Sequence, residues 1–414
     1  MEGPGPLCAE AFRLGVTPPG GVDWYTVGRG ALLSAVREDL AALSRGGRMR
    51  LVIGDYGCGK SHLLAWIREH ALAQGFVVGE AALDDHDVTP AQPKRLYRAL
   101  VSGLRYPEAP ARPQGLGPLL ERLLQTPGYP RPRDDERHHR YIDPAVAGLA
   151  AARDKDRPEV EALVREWLEG QPFDDSKSTN SRLRGLKAPW LMALPDYRTF
   201  GHVYGYLLGG LAVAVRDAGW RGLVLLVDEA EFYELLSSSH REHARTVLAA
   251  LALATRGPEH VCFDPATLRL GGHEVHRKLP AVYARDQPLY AVAALTPVDR
   301  MRELLATLVP LEQVAVELAP LTAADYAELF ARVGAACPLP AERRALLAQV
   351  SPAMGRALHA GVGSGALASP RAVLKVIVEL LDLVRLRPAA APLFARDLVT
   401  AIVPAQRLLA GAPA

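Results

Sequence analysis

Residues 54–61 read Gly54-Asp55-Tyr56-Gly57-Cys58-Gly59-Lys60-Ser61, which fits the spacing G-x-x-x-x-G-K-[ST]. The glycines let the backbone curl until successive N–H groups point at one phosphate. Lys60 adds a cation, the Ser61 hydroxyl is a ligand for Mg²⁺, and a following helix offers its positive N-terminus. The expected ligand is MgATP. Cys58 and His62 lie in or beside this loop. A reactive thiol or imidazole is conceivable at such positions, but spacer residues there more often shape the turn.

A phosphate loop alone does not distinguish a kinase, a switch and a hydrolase. Leu223-Val224-Leu225-Leu226-Val227-Asp228-Glu229 narrows the choice. An apolar strand ending in Asp-Glu delivers two carboxylates to the C-terminal edge of a sheet, where ligands of open α/β folds sit. Asp228 is expected to hold the magnesium together with Ser61, and Glu229 to polarise the attacking water. The competing reading is an acidic pair capping a helix after a core strand. Glu231 and Glu234 continue the acidic run and are expected to face solvent or a partner.

Two more polar residues stand where such a site would want them. The apolar run 289–295 ends in Thr296, which can orient the attacking water or simply cap the helix that Pro297 opens. Ser369-Pro370-Arg371 opens a helix near the C-terminus, and an arginine there can swing onto the β- and γ-phosphates.

The elements that must position these residues are legible as hydrophobic periodicity. Strands are expected at 50–53, 76–83, 222–227, 289–295 and 313–318. Helices are expected at 32–43, 61–74, 94–104, 200–218, 242–255, 298–307, 323–333, 341–349 and 370–386. Strand, loop, helix and strand in succession open a parallel α/β sheet. The expected layout is an irregular N-terminus over 1–22, a P-loop domain over 23–318, a helical lid over 319–388 and a tail over 389–414. Within the P-loop domain, 105–198 reads as an insertion, with short helices near 116–124 and 159–169. The mixed charge run 131–140 in it is expected to be solvated loop.

Composition sets the outer bounds. The chain has 414 residues, 49% hydrophobic and 23% charged, with a net charge of +2. No global basic field announces nucleic acid, so any such contact must be local. Arginine outnumbers lysine 41 to 7, read first as a compositional bias. Four cysteines, at 8, 58, 262 and 337, show neither metal-ligand nor disulfide-framework spacing. No apolar run is long enough to span a membrane, and no leader-like start is seen, so a cytoplasmic location is expected.

Taken together, the phosphate loop, the Asp-Glu strand, the strand ending in Thr296 and the helical tail with Ser-Pro-Arg resemble the AAA+ superfamily, closest to its origin-recognition and STAND-like branches. That resemblance implies an α/β, parallel-sheet AAA+ ATPase domain with an all-helical C-terminal lid. It puts Thr296 at the sensor-1 position, Arg371 at the sensor-2 position, and Val27-Gly28-Arg29 in an adenine-pocket segment. More specifically, Gly54–Ser61 with His62-Leu63-Leu64, Gly75-Phe76-Val77-Val78 and Leu96-Tyr97-Arg98-Ala99-Leu100 is similar to a prokaryotic ATP-binding family of BREX-type phage defence, sometimes called BrxD. Members tend to be encoded beside a DEAD/DEAH-type helicase, which makes that helicase an implied partner. Origin-recognition ATPases carry a C-terminal winged helix for DNA, but only some 26 residues follow Pro388 in this sequence, so their DNA-binding mode is not carried over. A homo-oligomer is implied too, although no arginine stands just before 313–318, and Arg300 and Arg302 are only candidates for a trans-acting finger.

Between the helix at 242–255 and the strand at 289–295, Thr267-Leu268-Arg269-Leu270-Gly271-Gly272-His273-Glu274-Val275-His276 alternates about a Gly-Gly pair. It predicts a β-hairpin over about 267–276. Arg269, His273, Arg277 and Lys278 would then be placed to contact DNA phosphates. A solvated hairpin without a partner is the alternative. The functional expectation is an ATPase that couples turnover to action on DNA or a helicase, with a slow ATP-gated switch or scaffold as the rival.

Overall fold

A computed structural model of the chain describes residues 6–18, 20–84, 86–171, 176–186, 190–194, 196–269, 274–367 and 369–398. All five expected strands form: β1 (Arg48–Ile53), β2 (Val77–Ala82), β3 (Leu223–Asp228), β4 (Leu289–Leu295) and β5 (Ala315–Glu317). They lie in the order β2-β3-β4-β1-β5. The pairings β1–β4, β2–β3 and β3–β4 are parallel. The protein is therefore an α/β protein of the P-loop ATPase class with a helical C-terminal region.

The chain divides into two compact units. One comprises Met1–Ser34, Gly54–Glu69 and Glu317–Ala414, the other Ala35–Ile53 and His70–Val316. The second unit is built on the sheet. β3 and β4 are buried along almost their whole length, as a central parallel strand requires. Alternate residues, Leu51 and Ile53 of β1, Leu223, Leu225 and Val227 of β3, and Ala291, Ala293 and Leu295 of β4, join one core with the helices Gly201–Asp217 and Ser238–Arg256. Those helices approach closely: a Cβ added to Gly201 would lie 2.9 Å from the Thr246 carbonyl oxygen. Asp39 ties β1 to β4, accepting from Arg50 Nε at 2.6 Å and from the Tyr290 hydroxyl at 2.8 Å.

Residues 105–198 contribute to that same core. Four helices form there, Gly117–Gln125, Ile142–Ala151, Arg157–Leu168 and Ser176–Gly185. The first three bury Leu120, Leu123, Val146, Leu149, Leu163 and Trp167. Within the run 131–140, residues 132–137 are exposed loop, as the mixed charges predict, whereas Arg131 and His139 are tied into the fold. The Arg131 guanidinium bonds Asp217 and the Tyr283 hydroxyl. His139, 1% exposed, stacks on Tyr206. Asp143 accepts from the backbone N–H groups of Arg131 and His139.

Three expectations give way. Pro6–Leu14 is helical rather than irregular, since Pro6 opens a run of Leu, Ala, Glu and Arg, all good helix formers. This helix packs on Pro370–Leu386 within the first unit, where Arg13 pairs with Asp382. The helix expected to stop at 349 runs through Pro352 as Ala341–Gly363, with the Ser351 hydroxyl donating to the Leu347 carbonyl at 2.6 Å. The hairpin flanks are helical as well. Pro265–Arg269 is a 3-10 turn fastened by Asp264, which accepts from the Ala266 N–H, and Glu274–Arg277 is one α-turn. Leu270, Gly271, Gly272 and His273 lie outside the described residues. Alternation about two glycines overpredicted the hairpin, because stretches of four or five residues carry too little periodicity to separate strand from helix.

Candidate functional site

In the first unit the phosphate loop leads into the helix Lys60–Ala73. Gly57 and Gly59 hold φ angles of +78° and +104°, which an L side chain rarely adopts. Lys60, 7% exposed, arches back over the loop, its Nζ donating to the Gly54 carbonyl at 2.8 Å and the Asp55 carbonyl at 3.3 Å. Ser61 follows as an exposed residue. Cys58 donates its N–H to Asp55 O, and burial raises its thiol pKa against the opposing pull of Lys60. Its sulfur occupies the space a side chain at Gly54 would need, 2.5 Å from an added Cβ. Cys58 therefore shapes the turn and is poorly disposed to ionise.

The segment ahead of the loop is fastened to it. Arg29 donates to the carbonyls of Cys58 and Ala319, and burial lowers its pKa. Gly28, at φ +64°, has no room for a side chain, because an added Cβ would lie 2.7 Å from Asp325 and Leu321. Arg332 donates to the carbonyls of Trp24 and Thr26 at 3.1 Å each. The structure thus brings Gly28 and Arg29 beside the loop but engages the Arg29 guanidinium with backbone. His62 shares a 2.8 Å hydrogen bond with the Thr26 hydroxyl and packs on Tyr25. Desolvation, with Arg29 adding repulsion, lowers its pKa to about 4. It is a neutral ring that anchors the segment.

Arg371 also reaches the loop. Its helix, Pro370–Leu386, is capped by Ser369, whose hydroxyl accepts from the Ala372 N–H at 3.3 Å. A Cβ added to Gly57 would lie 3.2 Å from Ser369 Cβ, so the helix start rests on the loop. The Arg371 guanidinium carbon lies 4.8 Å from the Tyr56 ring centroid, and Nη1 donates to the Tyr56 hydroxyl at 2.6 Å. Two cations, Lys60 and Arg371, and a helix N-terminus converge on one glycine loop. That donor set fits a triphosphate.

In the second unit three strands end at one sheet edge. Ile53, the last residue of β1, pairs with Leu295, the last of β4, and Val227 pairs with Ala293. Asp228, Glu229 and Thr296 therefore emerge together at the C-terminal edge of the sheet. With β4 between them, β1 and β3 end roughly 10 Å apart.

Glu229 is the only non-glycine residue with positive φ among the described residues, at +58°. Its N–H donates to Asp228 Oδ1 at 2.9 Å. Thr296 donates its hydroxyl to Glu231 Oε1, whose other oxygen is buried. Glu234 accepts from the Met301 N–H at 2.9 Å and stands 4.0 Å from Arg300. Glu231 and Glu234 therefore do not simply face solvent. They sit on the 3-10 turn Ala230–Leu235, which directs them toward the end of β4 and the helix after it. The continuing acidic run was their only signal in the sequence.

Of the four residues expected to touch DNA, Arg277 and Lys278 are exposed, and Lys278 pairs with Glu274 at 2.8 Å. The Arg269 side chain and His273 lie outside the described residues. Among the described residues, no helix is long and apolar enough to cross a membrane. The chain matches a protein family described as BREX system ATP-binding protein BrxC/D over residues 8–127 and 147–395. No curated protein matches it.

Proposed function

This chain belongs to the BREX system ATP-binding protein BrxC/D family, and from that premise we propose that it binds MgATP on Gly54–Ser61 and hydrolyses it with Glu229. The work so powered acts on DNA or on a helicase partner in phage defence, within the cytoplasm.

The backbone of Glu229 carries the reading. A left-handed conformation costs an ordinary L-residue about 1–2 kcal/mol, and Glu229 holds it at the end of β3 where glycine would be free of strain. Strain at a carboxylate that follows a metal-type aspartate is expected where chemistry sets the side-chain direction. Asp228 and Ser61 are the residues that would hold Mg²⁺. Held there, such an ion would supply charge neutralisation and Lewis-acid polarisation to phosphate oxygens. Lys60 and Arg371 bind phosphate oxygens, Glu229 draws a proton from the water in line with the γ-phosphate, and Thr296 orients that water.

The test is phosphate release and MgATP-induced thermal stabilisation on the full chain, with and without duplex DNA. Wild type is expected to release phosphate, Glu229→Gln to bind ATP without releasing it, and Lys60→Ala to lose the stabilisation. Absence of turnover by wild type under all conditions would sink the hydrolase reading.

Arg300 favours a second reading, a slow ATP-gated switch or scaffold. Its guanidinium leans on Glu234 of its own chain, which disfavours a finger offered to a neighbouring copy.

A further inference from the structure

Tyr56 stands inside the phosphate loop and is 73% exposed. A large aromatic so placed makes little use of burial. Its ring and hydroxyl are instead both used by one partner, Arg371. The arginine is confined from another side too, because a Cβ added to Gly15 would lie 2.8 Å from Arg371 Cγ. Its helix start is fixed against Gly57 through Ser369. The stem of Arg371 is thus set by packing, and the direction of its guanidinium is set by Tyr56.

We propose that Tyr56 is a positioning residue for Arg371, holding the guanidinium over the phosphate loop so that it meets the terminal phosphate of ATP already oriented. The inference rests on the reading of Arg371 as a phosphate ligand given above. A long arginine side chain loses rotamer freedom when it closes on an anion, and Tyr56 removes part of that loss beforehand. A guanidinium has five N–H donors, so one given to the tyrosine hydroxyl leaves others for phosphate oxygens. The face of a phenol ring attracts the cation without competing as a charged acceptor would. The arrangement discriminates by phosphate count, because the terminal phosphate is the group a lid arginine reaches.

The experiment is a double-mutant cycle in equilibrium binding of ATP and ADP, each with magnesium, measured by calorimetry on the full chain. Tyr56→Ala is expected to weaken ATP binding roughly 2- to 5-fold, the range for an exposed cation–ring pair, and to leave ADP binding nearly unchanged. In an Arg371→Ala background the same substitution is expected to do nothing further. Tyr56→Phe, which keeps the ring, is expected to fall between, and it carries the test if the alanine variant melts early. Unchanged ATP affinity in Tyr56→Ala, equal weakening for ATP and ADP, or the same loss with and without Arg371 would each overturn the proposal. Binding is measured rather than turnover, so a wild type that fails to hydrolyse ATP would end the reading of Glu229 and leave this result readable.

Discussion

Thr296 gives its hydroxyl hydrogen to Glu231. A hydroxyl whose proton is committed presents lone pairs to whatever lies on its other side. In the proposed site Thr296 would then be an acceptor for water rather than a donor to phosphate. Glu231→Ala frees the hydroxyl to rotate. It is expected to lower kcat roughly 10-fold, the scale of a modestly misplaced reacting group, with ATP affinity unchanged. Thr296→Ser is expected to retain turnover and Thr296→Val to lose it. Steady-state phosphate release beside equilibrium ATP binding checks this, and a fall in affinity instead of kcat would refute it.

Glu229 separates strain from chemistry. Glu229→Gly relieves the left-handed backbone and is expected to stabilise the fold by about 1 kcal/mol. The same change is expected to lower phosphate release by about 10²- to 10⁴-fold, the usual worth of a general base. Thermal melting and turnover on one preparation decide it. A glycine variant that melts lower would show that the conformation is imposed by contacts of the side chain.

Two buried histidines give the fold an acid limit. Desolvation lowers the pKa of His139 to about 3 and that of His62 to about 4, whereas an unfolded histidine titrates near 6.5. The unfolded chain therefore binds more protons below about pH 6.5. Stability is lost as pH falls from there toward the folded values. Each histidine contributes a slope of up to about 1.4 kcal/mol per pH unit in that window. Melting temperature against pH from 7.5 to 4.5 measures the loss. His62→Asn is expected to shallow the slope, and an unchanged slope would mean that His62 is already charged in the fold.

Arg277 and Lys278 remain candidates for DNA as exposed residues at the end of the helical turn Glu274–Arg277. Replacing both by alanine is expected to weaken DNA binding. It is also expected to flatten the dependence of log K on log salt by about 2, one for each lost phosphate contact. Undiminished affinity across a salt titration would remove this arm from the function.

What was legible in the sequence was local. β3 and β4 are apolar runs with a polar residue at or just past the end, and the phosphate loop is one contiguous stretch in which Gly54, Gly57 and Gly59 precede Lys60 and Ser61. The partners were not legible. Tyr56 and Arg371 are 315 residues apart and Thr296 and Glu231 are 65 apart, and no periodicity spans such distances. The tie of Arg131 was not legible for a related reason: in a run that is otherwise exposed, its acceptors Asp217 and Tyr283 arrive from elsewhere in the chain. Pro6–Leu14 was missed because flanking Gly and Pro outweighed six good helix formers among nine residues.

The unit that carries the phosphate loop is assembled from three separated stretches, Met1–Ser34, Gly54–Glu69 and Glu317–Ala414. During synthesis the first two leave the ribosome long before the third exists. A nascent chain halted between residues 62 and 369 carries the whole Lys60 motif and none of the helix that bears Arg371. Only a chain translated past that helix can join the two, so a shorter product lacks one of the two cations proposed to meet nucleotide.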